Sequence, residues 1–204
     1  MSHPRGGKWD IMRKTGGSIV SFKGVFAAIV GVGIVLLIGG YSLGGFLSYT
    51  SNTEYCISCH EMKIVFEEYK QTSHFQNRDG VRAECPDCHI PKGWNAMLAR
   101  KVVALKDLYH HLLGTIDTPE KFEQYRLAMA ETVWERMKAD DSEACRNCHL
   151  YSAMNFKKQS SSARKKHELA VMEGDTCIDC HKGIAHKAVH HRAAEPNEVI
   201  ELEF

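Results

Sequence analysis

An uninterrupted apolar segment near the start of the chain is the clearest feature of its hydrophobic pattern. Residues 24–47 contain no charged side chain. At 1.5 Å per residue, a helix of that length spans roughly 36 Å, which is enough to cross a hydrocarbon core about 30 Å thick. The pattern therefore predicts a single N-terminal transmembrane helix over 24–47.

A soluble core helix and a cleaved signal peptide are the alternatives for this segment. A core helix rarely runs so far without a polar face. The apolar region of a typical signal peptide is shorter, and no A-x-A-like cleavage site follows at Ser48-Tyr49-Thr50. We therefore expect an uncleaved anchor.

The basic flank of the segment predicts its orientation. Residues 1–23 hold five basic side chains and one acidic side chain. Because basic flanks stay on the cytoplasmic side, we expect a single-pass protein of the inner (cytoplasmic) membrane. Its N-terminus, residues 1–23, would be inside, and the domain that follows the anchor would be periplasmic.

Apolar residues beyond the anchor recur at helical spacing. Thr118-Pro119 offers an N-cap with Pro at the first helical position. No run of four or more residues alternates like a strand. The fold class is therefore predicted to be mainly α, with helices and loops after the anchor. Two stripes carry this prediction: positions 98, 102, 105, 109 and 112, and positions 122, 125, 129, 133 and 137.

Composition narrows the class of function. Lys+Arg 26 against Asp+Glu 25 gives a net charge of +1, which argues against a nucleic-acid binder. Eight Cys and twelve His are unusual numbers for two scarce residues. Soft, metal-binding side chains in such numbers indicate metal or redox chemistry.

All eight cysteines lie in four copies of C-x-x-C-H. In c-type haem attachment the two thiols bond to the porphyrin vinyl groups, and the histidine that follows binds the iron. The sequence therefore predicts four covalently bound haem c groups. The attachment residues are Cys56, Cys59, Cys85, Cys88, Cys145, Cys148, Cys177 and Cys180, and the proximal ligands are His60, His89, His149 and His181.

Disulfides and zinc sites are the alternatives for paired cysteines. An exported domain lies in an oxidising compartment where disulfides persist, and Cys/His sets also bind zinc. Neither explains why a histidine follows the second cysteine in all four copies, or why no cysteine is left over. We therefore favour haem.

The spacing of the motifs indicates an internal repeat. The first two motifs begin 29 residues apart and the last two 32 residues apart, and a histidine lies 11 or 10 residues before the second motif of each pair. We expect a multihaem cytochrome c domain over 48–187, built from two dihaem halves that are joined by the insert 90–144. Residues 188–204 are predicted to form a flexible tail.

A low-spin haem needs a second axial ligand, usually His or Met. The repeat singles out His74 and His167, and His186 follows the fourth motif closely; we predict these three as distal ligands. The other histidines beyond the anchor are expected to face solvent or a haem edge, or to have no ligand role: His110, His111, His190 and His191.

The first motif differs from the others because Met62 follows His60 by two residues. Its thioether is our predicted ligand for the first iron. Repeat logic points instead to Lys92, three residues after His89, but an ammonium group is a poor ligand.

These motifs resemble the NapC/NirT family of membrane tetrahaem cytochromes. The resemblance covers about residues 20–187, and the stretches at 115–122 and 144–149 are most similar to the NapC branch. The residues that carry it read C-H-E-M at 59–62, R-A-E-C-P-D-C-H at 82–89 and C-I-D-C-H-K-G-I-A-H at 177–186.

The resemblance implies a quinol dehydrogenase. Such proteins take electrons from menaquinol or ubiquinol in the membrane and pass them to a periplasmic reductase, which for the NapC branch is the nitrate reductase NapAB. Other branches imply a nitrite, TMAO or DMSO type of reductase.

The resemblance also implies roles for single residues. His74 would cap the fourth haem, His186 the third and His167 the second, so that ligands cross between the halves. Met62 matches a methionine on the first haem of the related cytochrome NrfH. The family usually has a histidine where this chain has Lys92, which leaves the distal side of the first haem open or shielded by Asp107.

A quinol site is implied in the same way at Lys101 and Asp107, which match a lysine and an acid that contact quinol in NrfH. Quinol oxidation releases two protons, so a base is required beside the electron acceptor. The alternative is that both side chains are solvated, with Lys101 extended towards lipid headgroups.

Two other functions fit a haem protein of this kind. A terminal reductase would bind a small oxyanion at an open iron, although no clustered Arg or Lys supplies a dedicated pocket. An electron-storage protein would carry the haems without quinol chemistry.

Overall fold

The computed structural model describes residues 21–191, and within that range it contains helices and loops but no strand. The mainly α prediction is confirmed. The α-helices are α1 Phe22–Tyr49, α2 Thr53–Cys56, α3 Met62–Tyr69, α4 Cys85–His89, α5 Trp94–Val103, α6 Leu105–Leu113, α7 Pro119–Ala139, α8 Glu143–Arg146, α9 Ser161–Glu173 and α10 Cys177–Cys180. Short 3-10 turns lie at Tyr151–Ala153 and Phe156–Lys158.

The chain divides into two compact units, residues 1–47 and 48–204. Helix α1 has 28 residues, and its most apolar window reaches a mean hydropathy of 2.3 with none of that window buried. It contains the predicted segment 24–47 and is long and apolar enough to cross a membrane. Residues 1–20, and with them most of the predicted cytoplasmic segment, lie outside the described residues.

Helix α7 begins as its sequence predicts. The Thr118 hydroxyl accepts a hydrogen bond from the backbone N–H of Lys121 at 3.3 Å, and Pro119 occupies the first turn. Both ends of the predicted stripe, Phe122 and Met137, are buried. The second stripe therefore faces the interior of the domain, and α7 packs against α10, which carries the fourth motif.

The first predicted stripe behaves differently. The chain turns at Ala104, so the stripe is divided between α5 and α6. Residues 102, 105, 109 and 112 are exposed. The helical periodicity therefore predicted helices over this segment, but it did not predict which side chains are buried.

The packed part of the second unit ends later than expected. Val189 is only 1 % exposed, so ordered packing continues two residues beyond the predicted boundary at 187. The rest of the predicted tail, residues 192–204, lies outside the described residues.

Few apolar side chains are buried among the described residues of the second unit. They are Tyr69, Phe122, Met137, Ile178 and Val189.

A buried ion pair joins two helices of this unit. The guanidinium of Arg126, 5 % exposed, donates to both carboxylate oxygens of Glu68 at 2.9 and 2.8 Å. This two-pronged geometry is the strong form of an Arg–carboxylate contact. It fastens α7 to α3.

Candidate haem-binding centres

Each C-x-x-C-H motif begins on a helix of about one turn. Cys56 ends α2, Cys85 begins α4, Cys145 lies within α8 and Cys177 begins α10. All eight cysteines are free of disulfides, and each is half-buried or exposed. The thiols are therefore available for thioether bonds to a porphyrin.

The two halves of the domain share one structural device. In each half, a hydroxyl residue three positions before the first motif reaches the backbone of the second. The Thr53 hydroxyl accepts from the N–H of Cys85 at 3.3 Å and donates to the Glu84 carboxylate. The Ser142 hydroxyl accepts from the N–H of Ile178 at 3.1 Å. The same device therefore occurs once in each predicted half.

Three motif histidines face the three predicted distal histidines. The ring centroids of His74 and His149 are 6.2 Å apart, those of His89 and His186 are 6.2 Å apart, and those of His167 and His181 are 5.9 Å apart. Two imidazoles that bind one metal ion at about 2.0 Å each have their ring centres about 6 Å apart. The pairs therefore fit bis-histidine haem iron.

The partners differ from those implied by the family resemblance. His74 faces the third motif rather than the fourth, His186 faces the second rather than the third, and His167 faces the fourth rather than the second. A distal ligand must approach the haem from the side opposite to the motif, and folding over long stretches of chain decides which histidine does so. Two pairs cross between the halves and one is local.

In two of the predicted distal histidines, the Nδ1 atom already has a polar contact. Nδ1 of His186 lies 3.2 Å from the carbonyl oxygen of Val65, and Nδ1 of His167 lies 2.8 Å from Oε1 of Gln159. Such contacts fix the ring so that Nε2 is presented to a metal. Nδ1 of His74 is buried and has no hydrogen-bond partner among the described residues.

Burial keeps the second pair neutral. It lowers the pKa of His89 to about 4, with the charge of His186 acting in the same direction. Burial also lowers the pKa of His186. Neutral imidazole is the form that binds iron, so these residues fit the cofactor that the motifs imply.

The first motif is arranged differently from the other three. His60 is largely exposed, and its Nε2 lies 3.1 Å from the carbonyl oxygen of Asp117. The ring of His111 lies 5.7 Å from that of His60, and its Nδ1 is 2.6 Å from Oε1 of the buried Glu61. Met62, the predicted ligand, begins α3 with its side chain 40 % exposed.

His111 is a residue of this site that the sequence pattern did not select. We expected it to face solvent or a haem edge. The sequence did contain a pattern that separates His111 from the apolar face of α6. Apolar residues occupy positions 105, 108, 109, 112 and 113, which leaves position 111 on the opposite face of the helix.

Successive motifs are neighbours in space. The thiol of Cys85 raises the pKa of Cys56 after the larger effect of burial, and Cys148 acts on Cys88 in the same way. Burial and then the charge of Cys177 raise the pKa of Cys145 to about 11. Helix α2 also packs on α4, and α4 packs on α8, while the Ser142 hydroxyl beside the third motif is bonded to Ile178 of the fourth. The four motifs therefore form one series in chain order.

The two predicted quinol residues have different partners. The Lys101 ammonium donates to the carbonyl oxygen of Thr50 at 2.5 Å and to its hydroxyl at 2.9 Å. Burial lowers the pKa of Lys101, although the Cys56 thiol opposes this effect. Asp107 is 58 % exposed and lies 3.6 Å from the guanidinium of Arg100.

Known proteins are similar to this chain over most of its length. A profile of the NapC/NirT cytochrome c family, N-terminal region, matches residues 18–191. The chain is 49 % identical to the cytochrome c-type protein NapC of Escherichia coli strain K12 over 166 residues, 81 % of this chain and 82 % of that protein. No solved structure matches.

Two further relatives are equally informative. The denitrification system component NirT of Stutzerimonas stutzeri is 49 % identical over 167 residues, 81 % of this chain and 82 % of the relative. A tetraheme cytochrome c-type protein of Allochromatium vinosum is 47 % identical over 167 residues, 82 % of this chain and 88 % of the relative. Together with the motifs, the histidine pairs and the apolar helix α1, these matches show that the chain belongs to the NapC/NirT cytochrome c family, as a membrane-anchored electron-transfer protein with four covalently bound haem c groups.

Proposed function

We propose that this protein oxidises quinol at the membrane surface and passes the electrons to a periplasmic reductase. The observation that carries the proposal is the position of Lys101. Its ammonium is bonded to Thr50, which lies three residues after the apolar segment 24–47 and six residues before Cys56 of the first motif. A cation is therefore bonded to the segment that joins the apolar segment to the first haem attachment site.

Lys101 has the donors that a quinol oxygen needs. An ammonium has three N–H donors, and Thr50 takes two of them. The third would donate to a quinol oxygen and orient the ring. Since the site is half-buried, that hydrogen bond is protected from competing water.

Asp107 is the proposed proton acceptor. Quinol oxidation releases two protons and two electrons, and an exposed carboxylate near the membrane surface can pass protons to bulk water. The guanidinium of Arg100 lies 3.6 Å from that carboxylate. The haem c groups, when bound, supply one-electron carriers.

The direction of transfer follows from the order of the motifs. We propose that the anchor holds residues 1–23 in the cytoplasm, as their basic excess requires, and that the second unit is periplasmic. The first motif is close to the membrane in sequence, and the other three follow in spatial order. The reductase is therefore expected to bind near the fourth motif, where Cys180 is exposed.

We propose the periplasmic nitrate reductase NapAB as the electron acceptor. Similarity to NapC over four fifths of both chains supports this partner. NirT is similar to the same extent, so a nitrite, TMAO or DMSO type of reductase is the second candidate. Mixing the quinol-reduced protein with each purified reductase and following haem reoxidation distinguishes them.

Substitution of Lys101 tests the quinol site. We expect Lys101→Gln to slow haem reduction by menaquinol or ubiquinol about 10- to 100-fold, because a hydrogen bond to a charged group contributes about 1.5–3 kcal/mol. Reduction by dithionite should be unchanged. Lys157→Gln, an exposed lysine in the turn Phe156–Lys158, is the charge-matched control.

Two results would contradict the proposal at different levels. A normal quinol rate in Lys101→Gln would remove Lys101 from the site but leave the function standing. No reduction of the unaltered protein by any quinol would remove the function and favour an electron-storage protein.

A further inference from the structure

Helix α6 presents its apolar side chains to the outside of the domain. They occupy the i, i+3, i+4, i+7 and i+8 positions of one stripe, the pattern by which a helix normally packs on a core. Here every member is between 53 % and 76 % exposed. The stripe consists of Leu105, Leu108, Tyr109, Leu112 and Leu113.

The opposite face of α6 is the one turned towards the domain. His110 and His111 are half-buried, and Nδ1 of His111 lies 2.6 Å from the buried Glu61. At 100° per residue, the centre of the apolar stripe is about 130° around the helix axis from His111. The first haem centre lies on the His111 side, so it does not account for the stripe.

The same surface continues into the end of α5. Val102 and Val103 are 67 % and 51 % exposed, and they directly follow Lys101. Because Lys101 is bonded to Thr50, this apolar surface begins where the chain emerges from the apolar segment 24–47.

We propose that α6, with the last turn of α5, lies in the surface of the bilayer that the anchor crosses. The leucines of the stripe would enter the boundary between headgroups and acyl chains, as interfacial amphipathic helices do. Tyr109 has the side chain preferred at that depth. The second unit would then be attached to the membrane at two places, and this inference does not depend on the quinol chemistry.

A bilayer fits this surface better than a second copy of the chain. Lys101, which directly precedes this surface, is bonded to Thr50, three residues after the apolar segment 24–47, so a bilayer crossed by that segment is the apolar phase that this part of the chain would meet first. Exposed apolar stripes of this kind are rare on water-facing surfaces. A dimer is retained as an outcome of the test.

A nitroxide at position 112 tests the inference in the full-length, haem-loaded protein. Since all eight native cysteines are bonded to haem, Leu112→Cys supplies the thiol for the label. The protein is placed in vesicles of phosphatidylethanolamine and phosphatidylglycerol, and collision rates with oxygen and with a water-soluble nickel chelate are compared. Met172→Cys on α9, 84 % exposed, is the control.

We expect the ratio of oxygen to nickel collisions to be several-fold higher at position 112 than at 172. Equal ratios at the two positions would overturn the inference. Protection from both reagents, with dipolar broadening between labels, would also overturn it and would identify a second copy as the occupant. Haem absorbance of both variants shows that each is folded and loaded.

Discussion

Single hydroxyl groups hold the paired motifs together. Ser142 is fully buried, has a φ of 53° and accepts the N–H of Ile178 across 36 residues of chain. Thr53 has the equivalent position in the first half.

Replacing Ser142 measures the contribution of its hydrogen bond to stability. Ser142→Ala leaves the buried N–H of Ile178 without its acceptor, so we expect a loss of about 1–3 kcal/mol in the free energy of unfolding. Ser142→Gly loses the same contact, but glycine adopts the left-handed backbone without the steric cost of about 1–2 kcal/mol that a Cβ atom brings. We therefore expect Ser142→Gly to be less destabilised than Ser142→Ala. Denaturant unfolding followed by far-ultraviolet circular dichroism measures the stability of each variant. A Ser142→Ala variant as stable as the exposed control Ser152→Ala would contradict this prediction.

The first haem provides a second test at this scale. We predict that Met62 binds its iron through the thioether, although the ring of His111 is close to that of His60. Met62→Leu should abolish the near-infrared magnetic circular dichroism band of a methionine-bound haem, while His111→Leu should retain it. Retention of the band in Met62→Leu, with loss in His111→Leu, would assign the position to His111.

At the scale of elements, the loop after α10 determines where a distal ligand lies. Gly183 has a φ of 76°, and a Cβ atom there would lie 2.6 Å from Cβ and 2.9 Å from Cα of Ala188. His186, which faces His89, lies between these two residues. The loop therefore depends on glycine both for its backbone angle and for its close approach.

Gly183→Ala should displace His186 from the second haem. We expect one haem to change from low-spin to high-spin, measured by electron paramagnetic resonance. Gly174→Ala is the matched control, because Gly174 has a φ of 77° but no atom within 4 Å of the added Cβ. If both variants keep all low-spin signals, then His186 does not bind iron or the loop is more compliant than its geometry indicates.

Elements that depend on neighbouring residues were predicted well from the sequence. Helix α1 and the Thr118 cap of α7 follow from local composition and spacing. The partners of His74, His167 and His186 were not, since they depend on contacts between distant segments. Spacing shows that a histidine is available but does not show which haem it reaches.

The exposure of the apolar stripe on α6 is the other feature that the hydrophobic periodicity could not predict. A helical pattern predicts that one face is covered, but it does not say whether protein, cofactor or lipid covers it. Here the half-buried His111 and the bonded Lys101 show which side faces the domain.

At the scale of the whole molecule, the four motifs form one spatial series within the second unit, and the first of them follows the apolar helix α1 most closely in sequence. The cation Lys101 lies at the start of this series, and the exposed Cys148 and Cys180 lie in the last two motifs. The proposed transfer of electrons from quinol to a periplasmic reductase would follow this order.

Direct reduction by quinol is the measurement that tests this account most directly. The full-length protein in lipid vesicles is titrated anaerobically with menaquinol while the haem absorbance is followed. Since each quinol gives two electrons and the chain has four haem motifs, an excess of quinol should reduce the haems towards four electrons per chain, and a quinol-analogue inhibitor should block the reaction. Haems that stay oxidised with quinol but are reduced by dithionite would contradict the account.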